Sequence, residues 1–212
     1  MRLIVLAAGD SSSFDGYNKL FLVHPIYKRP MIEMYKNLFK TEDICIVVGY
    51  RALEVMSKYP DFEYAYNSKW RETGNSYSLA LALNNSPSVV ISSDLFISQR
   101  AVDALLSTKS NSALIKDEEN KRSKGLVCNI QDGKIANIIP IRKGIEGPEL
   151  CGVFKIVDND LLQKWKKSCF TNPALFAGEN LPLDSFIESV LTSDKELYEV
   201  DTPEEYIVRL QS

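Results

Sequence analysis

The chain has 212 residues, of which 45% are hydrophobic and 25% are charged, and its formal net charge is −3. This length and composition are typical of a soluble globular protein with one sizeable domain. Lysines and arginines are scattered along the chain rather than clustered, so we expect no nucleic-acid partner. The apolar run after Met1 stops at Ala8, and no segment is long enough to span a bilayer, so we expect a cytoplasmic protein without membrane contact.

The cysteines and the single histidine limit the metal and redox chemistry that the chain can carry. The four cysteines have no Cys-x-x-Cys spacing and three lie in apolar, strand-like runs, which predicts buried, reduced thiols. His24 precedes Pro25 in a predicted loop, and we interpret it as a surface residue. With one histidine in the chain, we expect any divalent ion to be held by oxygen ligands.

In the first half of the chain, short apolar runs alternate with amphipathic stretches, which predicts a layered α/β fold. The predicted strands are Arg2–Leu6, Ile44–Val48, Glu63–Tyr66, Ser88–Ser92 and Ser112–Ile115. The predicted helices are Met31–Phe39, Ala52–Lys58, Ser76–Leu83 and Gln99–Leu106. The dense charged run Lys116–Lys124 is interpreted as a solvated loop.

The second half begins with a predicted β-hairpin. The sequence Gln131-Asp132-Gly133 separates the apolar runs Gly125–Ile130 and Lys134–Ile139, and Asp-Gly between such runs is typical of a hairpin turn. Another strand is predicted at Cys151–Ile156.

A strand followed by a well-capped helix is predicted near the C-terminus. Leu197–Val200 is the strand, and Thr202, Pro203 and Glu205 supply the N-cap, first and third positions of a capping box. Asp201 lies at the junction. A carboxylate there projects from the carboxyl end of a strand, where open α/β sheets bind ligands.

The loop after the first strand has the composition of a phosphate-binding loop. It reads Ala7-Ala8-Gly9-Asp10-Ser11-Ser12-Ser13, and Lys19 follows shortly after it. Small side chains let main-chain N–H groups approach an anion, and the lysine supplies positive charge. An ordinary βα connection uses the same residues for its turn, so the loop alone leaves both interpretations open.

Two aspartates are candidate metal ligands. Asp94 ends the β-branched run Val89–Ser93, where an isolated aspartate would also suit a turn or a helix cap. Asp201 is the second carboxylate at a strand end. Two carboxylates, together with phosphate oxygens and water, would make a reasonable Mg²⁺ shell.

A polar segment from Asn67 to Leu79 precedes and enters a predicted helix. Gly74 and Asn75 form a turn there, so the helix N-terminus and the Asn75 and Ser78 side chains offer hydrogen-bonding groups to a ligand. A well-capped helix with a tryptophan on its loop would show the same pattern.

Taken in order, these segments resemble the motifs of the MobA-like and phosphocholine cytidylyltransferase-like nucleotidyltransferases. The first loop is similar to their LAAGxxSRxxxxxK signature, and Asn67–Leu79 is similar to a segment of the cytidylyltransferase branch. Asp201-Thr202-Pro203-Glu204-Glu205 matches the C-terminal metal motif, and Pro148–Phe154 resembles the strand that lines the acceptor pocket. The resemblance covers nearly the whole chain.

The chain departs from the family pattern at two places. Ser13 stands where the family usually has arginine, and Pro140 lies near the place of a frequent lysine. Arg142 and Lys143 are candidate stand-ins for that lysine.

The resemblance implies the fold and the activity. The expected fold is a three-layer α/β/α, Rossmann-like and GT-A-like domain over residues 1–212, with a mainly parallel mixed sheet and a β-hairpin in an acceptor-binding second half. The expected activity is transfer of CMP from CTP to a small phosphorylated or phosphonate acceptor, with Mg²⁺ as cofactor and pyrophosphate released. Such products are activated precursors for surface-polysaccharide or lipid decoration, and a homodimer is compatible with the family.

The resemblance also implies roles for particular residues. Lys19 is the expected catalytic residue, and Asp94 and Asp201 are the expected metal ligands. The expected acceptor-binding residues are Trp70, Tyr77, Glu149 and Gly152. The expected nucleotide-binding residues are Leu6, Ala7, Ala8, Gly9, Asp10, Ser11, Ser12, Ser13, Lys19, Asn75 and Ser78.

The sequence is compatible with alternative functions. A sugar-1-phosphate nucleotidyltransferase would use another NTP, and a degenerate relative would bind nucleotide without catalysis, as the departures at Ser13 and Pro140 would allow. A GT-A glycosyltransferase would normally show Asp-x-Asp after the middle strand, whereas Ser92-Ser93-Asp94 is followed by Leu95 and Phe96. The identity of the acceptor is not encoded in any of these motifs.

Overall fold

Four parallel strands form the half of the sheet that carries the first loop. They are identified in a computed structural model that describes residues 1–117, 125–141 and 146–211. The strands lie in the spatial order β3 (Glu63–Tyr66), β2 (Ile44–Val48), β1 (Arg2–Ala7) and β4 (Ser88–Ser92). The three inner strands are runs of Val, Ile and Leu that are buried on both faces, as parallel strands in α/β proteins usually are.

The second half extends this sheet with strands of both directions. They are β6 (Asn111–Lys116), β7 (Leu126–Gln131), β8 (Lys134–Pro140), β9 (Glu149–Ile156) and β10 (Ile187–Thr192). β9 pairs antiparallel with β4, and the order continues β9–β6–β10–β8–β7. β7 also pairs back with β9 at Val127 and Glu149, so these five strands close on themselves. Two short strands, β5 (Leu95–Ile97) and β11 (Leu197–Glu199), form a separate antiparallel pair.

Helices cover both faces of the sheet. They are α1 (Met31–Phe39), α2 (Ala52–Lys58), α3 (Asn75–Ala82), α4 (Gln99–Ser107), α5 (Asn159–Thr171) and α6 (Pro203–Gln211). On β1, Leu3 and Val5 belong to a core shared with α1, α2 and α4, whereas Ile4 and Leu6 belong to a core shared with α3 and α5. Successive side chains of a β-strand point to opposite faces, so β1 contributes to a core on each side of the sheet. This gives the predicted layered α/β architecture.

Several predicted elements are confirmed. α1 and α2 have the predicted bounds, and the predicted hairpin is the pair β7–β8. Its turn residues Asp132 and Gly133 both have positive φ, 51° and 74°, the backbone that two-residue hairpin turns of type I′ require. The capping box is also present, because the Glu205 amide donates to Thr202 Oγ1 and a Glu205 carboxylate oxygen accepts from the Thr202 amide, both at 3.2 Å.

Two interpretations of the sequence are wrong. Lys116 is the buried last residue of β6, not part of a solvated loop, and the run's remaining residues from 118 to 124 lie outside the described residues. His24 is 2% exposed, and its ring packs against Tyr27 and Phe96 rather than facing solvent. The four cysteines are buried and free, as expected. None of the helices in the described ranges is long and apolar enough to cross a membrane.

The buried His24 makes the stability of the fold depend on pH. Burial lowers the pKa of His24 to about 4, so the folded protein binds its proton at lower pH than the unfolded chain, whose imidazole has an ordinary pKa of about 6.5. Lowering the pH through this window therefore favours unfolding. We expect the free energy of unfolding to fall by about 2 kcal/mol between pH 7 and pH 5 through this group alone.

Urea denaturation of the wild type and His24→Asn at both pH values measures this contribution. Asparagine keeps an acceptor for the Ile26 amide, which donates to His24 Nδ1 at 3.2 Å, but it does not titrate. The variant should lose less stability than the wild type over the same interval. Equal losses in the two proteins would contradict the assignment.

Candidate active site

The loop after β1 folds back over the carboxyl ends of β1 and β4. A short 3₁₀ turn, Ser12–Phe14, follows the loop, and a second one, Lys19–Phe21, is capped by the Asn18 side chain, which accepts from the Leu20 amide at 3.0 Å. This cap fixes the second turn and leaves Lys19 only 8% exposed, beside the strand ends. The loop and its lysine therefore face the same space.

That space is a first cavity of about 260 Å³ between the loop and the N-terminus of α3. Trp70 lines it, although the sequence placed Trp70 with the acceptor. Most of the expected nucleotide-binding residues also line it, namely Leu6, Ala7, Ala8, Gly9, Asp10, Ser11, Lys19, Asn75 and Ser78. Ser12 is not among the residues that line it; its amide donates to Asp10 Oδ1 at 3.2 Å, which shapes the loop. Ser13 lines a neighbouring cavity instead.

A buried asparagine orders the far wall of this first cavity. Asn67 Nδ2 donates to Thr73 Oγ1 at 3.1 Å and to Ser78 Oγ at 3.0 Å, and Asn67 Oδ1 accepts from the Lys69 amide at 2.8 Å. These bonds join the loop after β3 to the first turn of α3. Asn67 and Thr73 both line the cavity, yet the sequence had assigned neither of them. The signal was available, because both lie in the Asn67–Leu79 motif.

Three carboxylates converge where β4 and β11 end. One oxygen each from Asp94, Glu199 and Asp201 lie within 4.8 Å of one another. Lys19 Nζ lies 3.6 Å from Asp94 Oδ2 and 3.4 Å from Asp201 Oδ1. Glu199 was not assigned from the sequence, although it is two residues before Asp201, the spacing that places strand side chains on one face.

The electrostatics of this cluster fit a cation. Burial raises the pKa of Asp94, and the neighbouring Lys19 charge only partly opposes that effect. Asp94 Oδ1 is buried and has no hydrogen-bond partner among the described residues. An orphaned buried carboxylate oxygen is costly, and a hard divalent ion with oxygen ligands would satisfy it. The donor set therefore fits Mg²⁺.

A second cavity of about 530 Å³ opens on the other side of Asp94. Glu149 and Gly152 of β9 line it, as does Asp201. Its remaining wall is mostly apolar, including Leu126, Leu150, Phe154 and Ala177. The two cavities share four lining residues, Leu6, Asn75, Ser92 and Asp94, so they meet at the carboxylates.

Tyr77 does not reach either cavity. Its ring packs edge-on against Phe170 of α5, with ring centroids 5.8 Å apart. Successive helical residues point about 100° apart, so Tyr77 faces α5 while Asn75 and Ser78, three residues apart, share the face toward the first cavity. Pro140 is the last residue of β8, and Arg142 and Lys143, the candidate stand-ins for the family's lysine, lie outside the described residues.

Comparisons with known proteins give a family and a fold. The sequence model of the MobA-like NTP transferase domain matches residues 3–180 of the chain. No curated protein sequence is significantly similar.

Three solved structures are similar along nearly their whole length. CTP:phosphocholine cytidylyltransferase from Streptococcus pneumoniae has a TM-score of 0.75 and 20% identity, covering 99% of this chain and 97% of that one. Inositol-1-phosphate CTP transferase from T. maritima has a TM-score of 0.74 and 16% identity, covering 98% and 94%. A protein described as a glucose-1-phosphate thymidylyltransferase from Bacillus anthracis has a TM-score of 0.71 and 19% identity, covering 100% and 94%. These similarities confirm the expected fold.

Two glycines, Gly9 in the first cavity and Gly49 packed behind its lining residues Ala8 and Trp70, predict different responses to alanine. A Cβ at Gly49 would lie 2.6 Å from the Ala8 carbonyl oxygen and 2.8 Å from Trp70 Cβ, whereas a Cβ at Gly9 would meet nothing within 4 Å. Overpacking of this kind typically costs about 1–3 kcal/mol. Gly49→Ala should therefore lower Tm by roughly 2–10 °C, and Gly9→Ala should leave it unchanged. Thermal denaturation followed by circular dichroism checks both, and equal shifts in the two variants would contradict the packing.

Proposed function

Because the chain belongs to the MobA-like NTP transferase family and is therefore a nucleotidyltransferase, we propose that it transfers CMP from CTP to a small phosphorylated or phosphonate acceptor. One observation carries this proposal. Two cavities of different character meet at three carboxylates and a buried lysine, as a reaction between two bound substrates requires.

We place CTP in the first cavity. Gly9 and its neighbours present backbone to the triphosphate, and the N-terminus of α3 faces the same space with its positive dipole end. Trp70 supplies an apolar wall for the base. We prefer CTP because the Asn67–Leu79 motif resembles that of the cytidylyltransferases and six of its residues line this cavity. The similar enzymes from Streptococcus pneumoniae and T. maritima carry CTP in their names.

Asp94 and Asp201 would hold Mg²⁺, and Glu199, whose carboxylate lies in the same cluster, would be a third ligand. Bound there, Mg²⁺ would screen the phosphate charges and orient the triphosphate. Lys19 lies against two of the same carboxylates and would place its charge beside the α-phosphate. The chemistry thus depends on charge placement rather than on a protein nucleophile.

The reaction is an in-line displacement at the α-phosphorus of CTP. A phosphate or phosphonate oxygen of the acceptor forms the new bond, the bond from the α-phosphorus to the bridging oxygen breaks, and pyrophosphate leaves with its electron pair. The acceptor lies in the second cavity, with Glu149 and Gly152 beside its far end. Alignment of the two substrates supplies much of the rate.

Residues 1–212 act in this proposal as one domain, since strands from both halves build the site. The buried, free cysteines suit a reducing cytoplasm. The CMP-activated product would be a precursor for surface-polysaccharide or lipid decoration.

A matrix of nucleotides and acceptors tests the proposal. Pyrophosphate release is measured with Mg²⁺ for CTP, TTP, GTP and ATP, each with phosphocholine, 2-aminoethylphosphonate, inositol 1-phosphate and glucose 1-phosphate. The proposal expects the highest rate with CTP. Preference for TTP with glucose 1-phosphate would favour the sugar-1-phosphate alternative, and nucleotide binding without release in any pair would favour a non-catalytic relative.

Lys19→Ala should lower kcat by roughly 10²–10³, because its charge matters most as negative charge concentrates around the α-phosphorus in the transition state. Steady-state kinetics at saturating CTP and acceptor provide the measurement. Lys58→Ala is the matched control, since Lys58 lies over the Phe21 ring beside the same turn but does not line the first cavity. A Lys19 variant that changed only the KM of the acceptor would place this lysine in ground-state binding instead.

The carboxylate cluster can be tested without turnover. Asp94→Asn, Glu199→Gln and Asp201→Asn should each weaken Mn²⁺ binding by about tenfold or more, because each removes a charged ligand of a hard cation. Electron paramagnetic resonance of free Mn²⁺ measures the affinity. The exposed neighbour Glu204, as Glu204→Gln, should leave it unchanged. Unaltered binding in any of the three variants would remove that residue from the site.

A further inference from the structure

Lys116 is a buried lysine that neither the sequence motifs nor the proposed chemistry uses. It ends β6, its side chain is 5% exposed, and it lies in register with Glu149 of β9. Lys116 Nζ is 3.3 Å from Glu149 Oε2 and 2.8 Å from Asp194 Oδ1, which belongs to the turn between β10 and β11. One buried cation therefore joins two carboxylates from different elements.

The two carboxylates differ in what they face. Glu149 is 14% exposed and lines the second cavity, whereas Asp194 is 56% exposed and is not among the residues that line it. Lys116 thus pairs with Asp194 at the protein surface and with Glu149 at the second cavity. Burial opposes the charge on Lys116, but the hydrogen bond to Asp194 and the charge of Glu149 outweigh it and raise its pKa.

Stability alone is a weak reason for this arrangement. Desolvating a buried ion pair costs about as much as its attraction returns, and apolar side chains of similar size often stabilise equally well. The surroundings would accept such a side chain, because Leu114, two residues before Lys116 and on the same face of β6, is buried and apolar. What an apolar residue at position 116 could not do is pair with the Glu149 carboxylate and fix it in a cavity with a mostly apolar wall.

We propose that Lys116 is a positioning residue for the acceptor: it fixes the Glu149 carboxylate so that this group receives the hydroxylated or cationic end of the acceptor. The inference rests on the proposed function, because it takes the second cavity as the acceptor site. Lys116 itself touches neither substrate. Its effect passes through Glu149, so it should act on acceptor affinity and not on the nucleotide.

Calorimetry separates these effects from catalysis. Phosphocholine, 2-aminoethylphosphonate and inositol 1-phosphate are titrated into the full-length protein with Mg²⁺ and a non-hydrolysable CTP analogue. Lys116→Met should raise the Kd of the best-bound probe about tenfold, the typical effect of losing a charged hydrogen-bond partner. The Kd of the CTP analogue should change less than about twofold, within ordinary surface effects. Lys116→Arg, which keeps the charge, should restore most of the affinity.

A double-mutant cycle tests whether Lys116 acts through Glu149. Glu149→Gln should raise the same Kd, and adding Lys116→Met to it should bring little further loss, because the residue on which the lysine acts is already neutral. Asp194→Asn is the matched control: it removes a partner of Lys116 outside the cavity, so it should cost less than Lys116→Met. Lys116→Gln replaces Lys116→Met if the latter does not fold, as judged by Tm.

The outcomes separate this inference from the proposed function. Additive losses in the cycle, an unchanged probe Kd in Lys116→Met, or an equal loss of CTP-analogue affinity would overturn the positioning role. Failure of the wild type to bind any of the three probes would also overturn it. Probe binding without pyrophosphate release would overturn the proposed transfer reaction and leave the Lys116 inference to be judged on the affinities alone.

Discussion

The site depends on one electrostatic constraint, the close approach of Lys19 to the carboxylates at the ends of β4 and β11. Asp94 is partly buried, and its Oδ1 atom has no hydrogen-bond partner in the described structure. Positive charge nearby favours the ionised form of such a group, and Lys19 Nζ lies 3.6 Å from its other oxygen, Oδ2. Two phosphate-bearing substrates, one in each cavity, would meet beside this charge, because Asp94 lines both cavities.

The N-terminus of α3 extends this constraint from the first cavity to the second. The Gly74 amide donates to the Pro173 carbonyl at 2.8 Å, and Asn75 Oδ1 accepts from the Ala177 amide at 2.7 Å. Ala177 lines the second cavity, so Asn75, which lines the first cavity, is hydrogen-bonded directly to the wall of the second. Asn180 strengthens the junction, since its Nδ2 donates to Ser76 Oγ at 2.7 Å. The relative position of the two cavities is therefore built into the fold.

The parts of the structure that local patterns encode could be predicted from the sequence. The apolar runs of β1, β2 and β4, the Asp132-Gly133 turn and the Thr202 cap each carry their own signal, because strand period, turn chemistry and capping act over a few residues. β5 was missed because three residues give too little periodicity. α5 also carries a local signal, because Leu161, Leu162, Trp165 and Cys169 recur at helical spacing.

The residues that could not be placed from the sequence alone are those whose surroundings depend on contacts between distant elements. Lys116 lies in a charged run, and only its pairing with β9 shows that it is buried. Trp70 and Tyr77 are close in sequence, yet helix geometry sends Tyr77 toward α5 while Trp70 stays at the first cavity. Glu199 needed the three-dimensional position of Asp94 to be identified as part of one cluster.

A crystal structure with Mg²⁺ and a non-hydrolysable CTP analogue tests the central claim most directly. The account predicts that the base lies against Trp70 in the first cavity and that the α-phosphate lies between Lys19 and Asp94. It also predicts the metal on Asp94 and Asp201, with the second cavity open for the acceptor. A nucleotide whose base occupied the second cavity beside Leu150 and Phe154, or a metal bound away from these carboxylates, would contradict it.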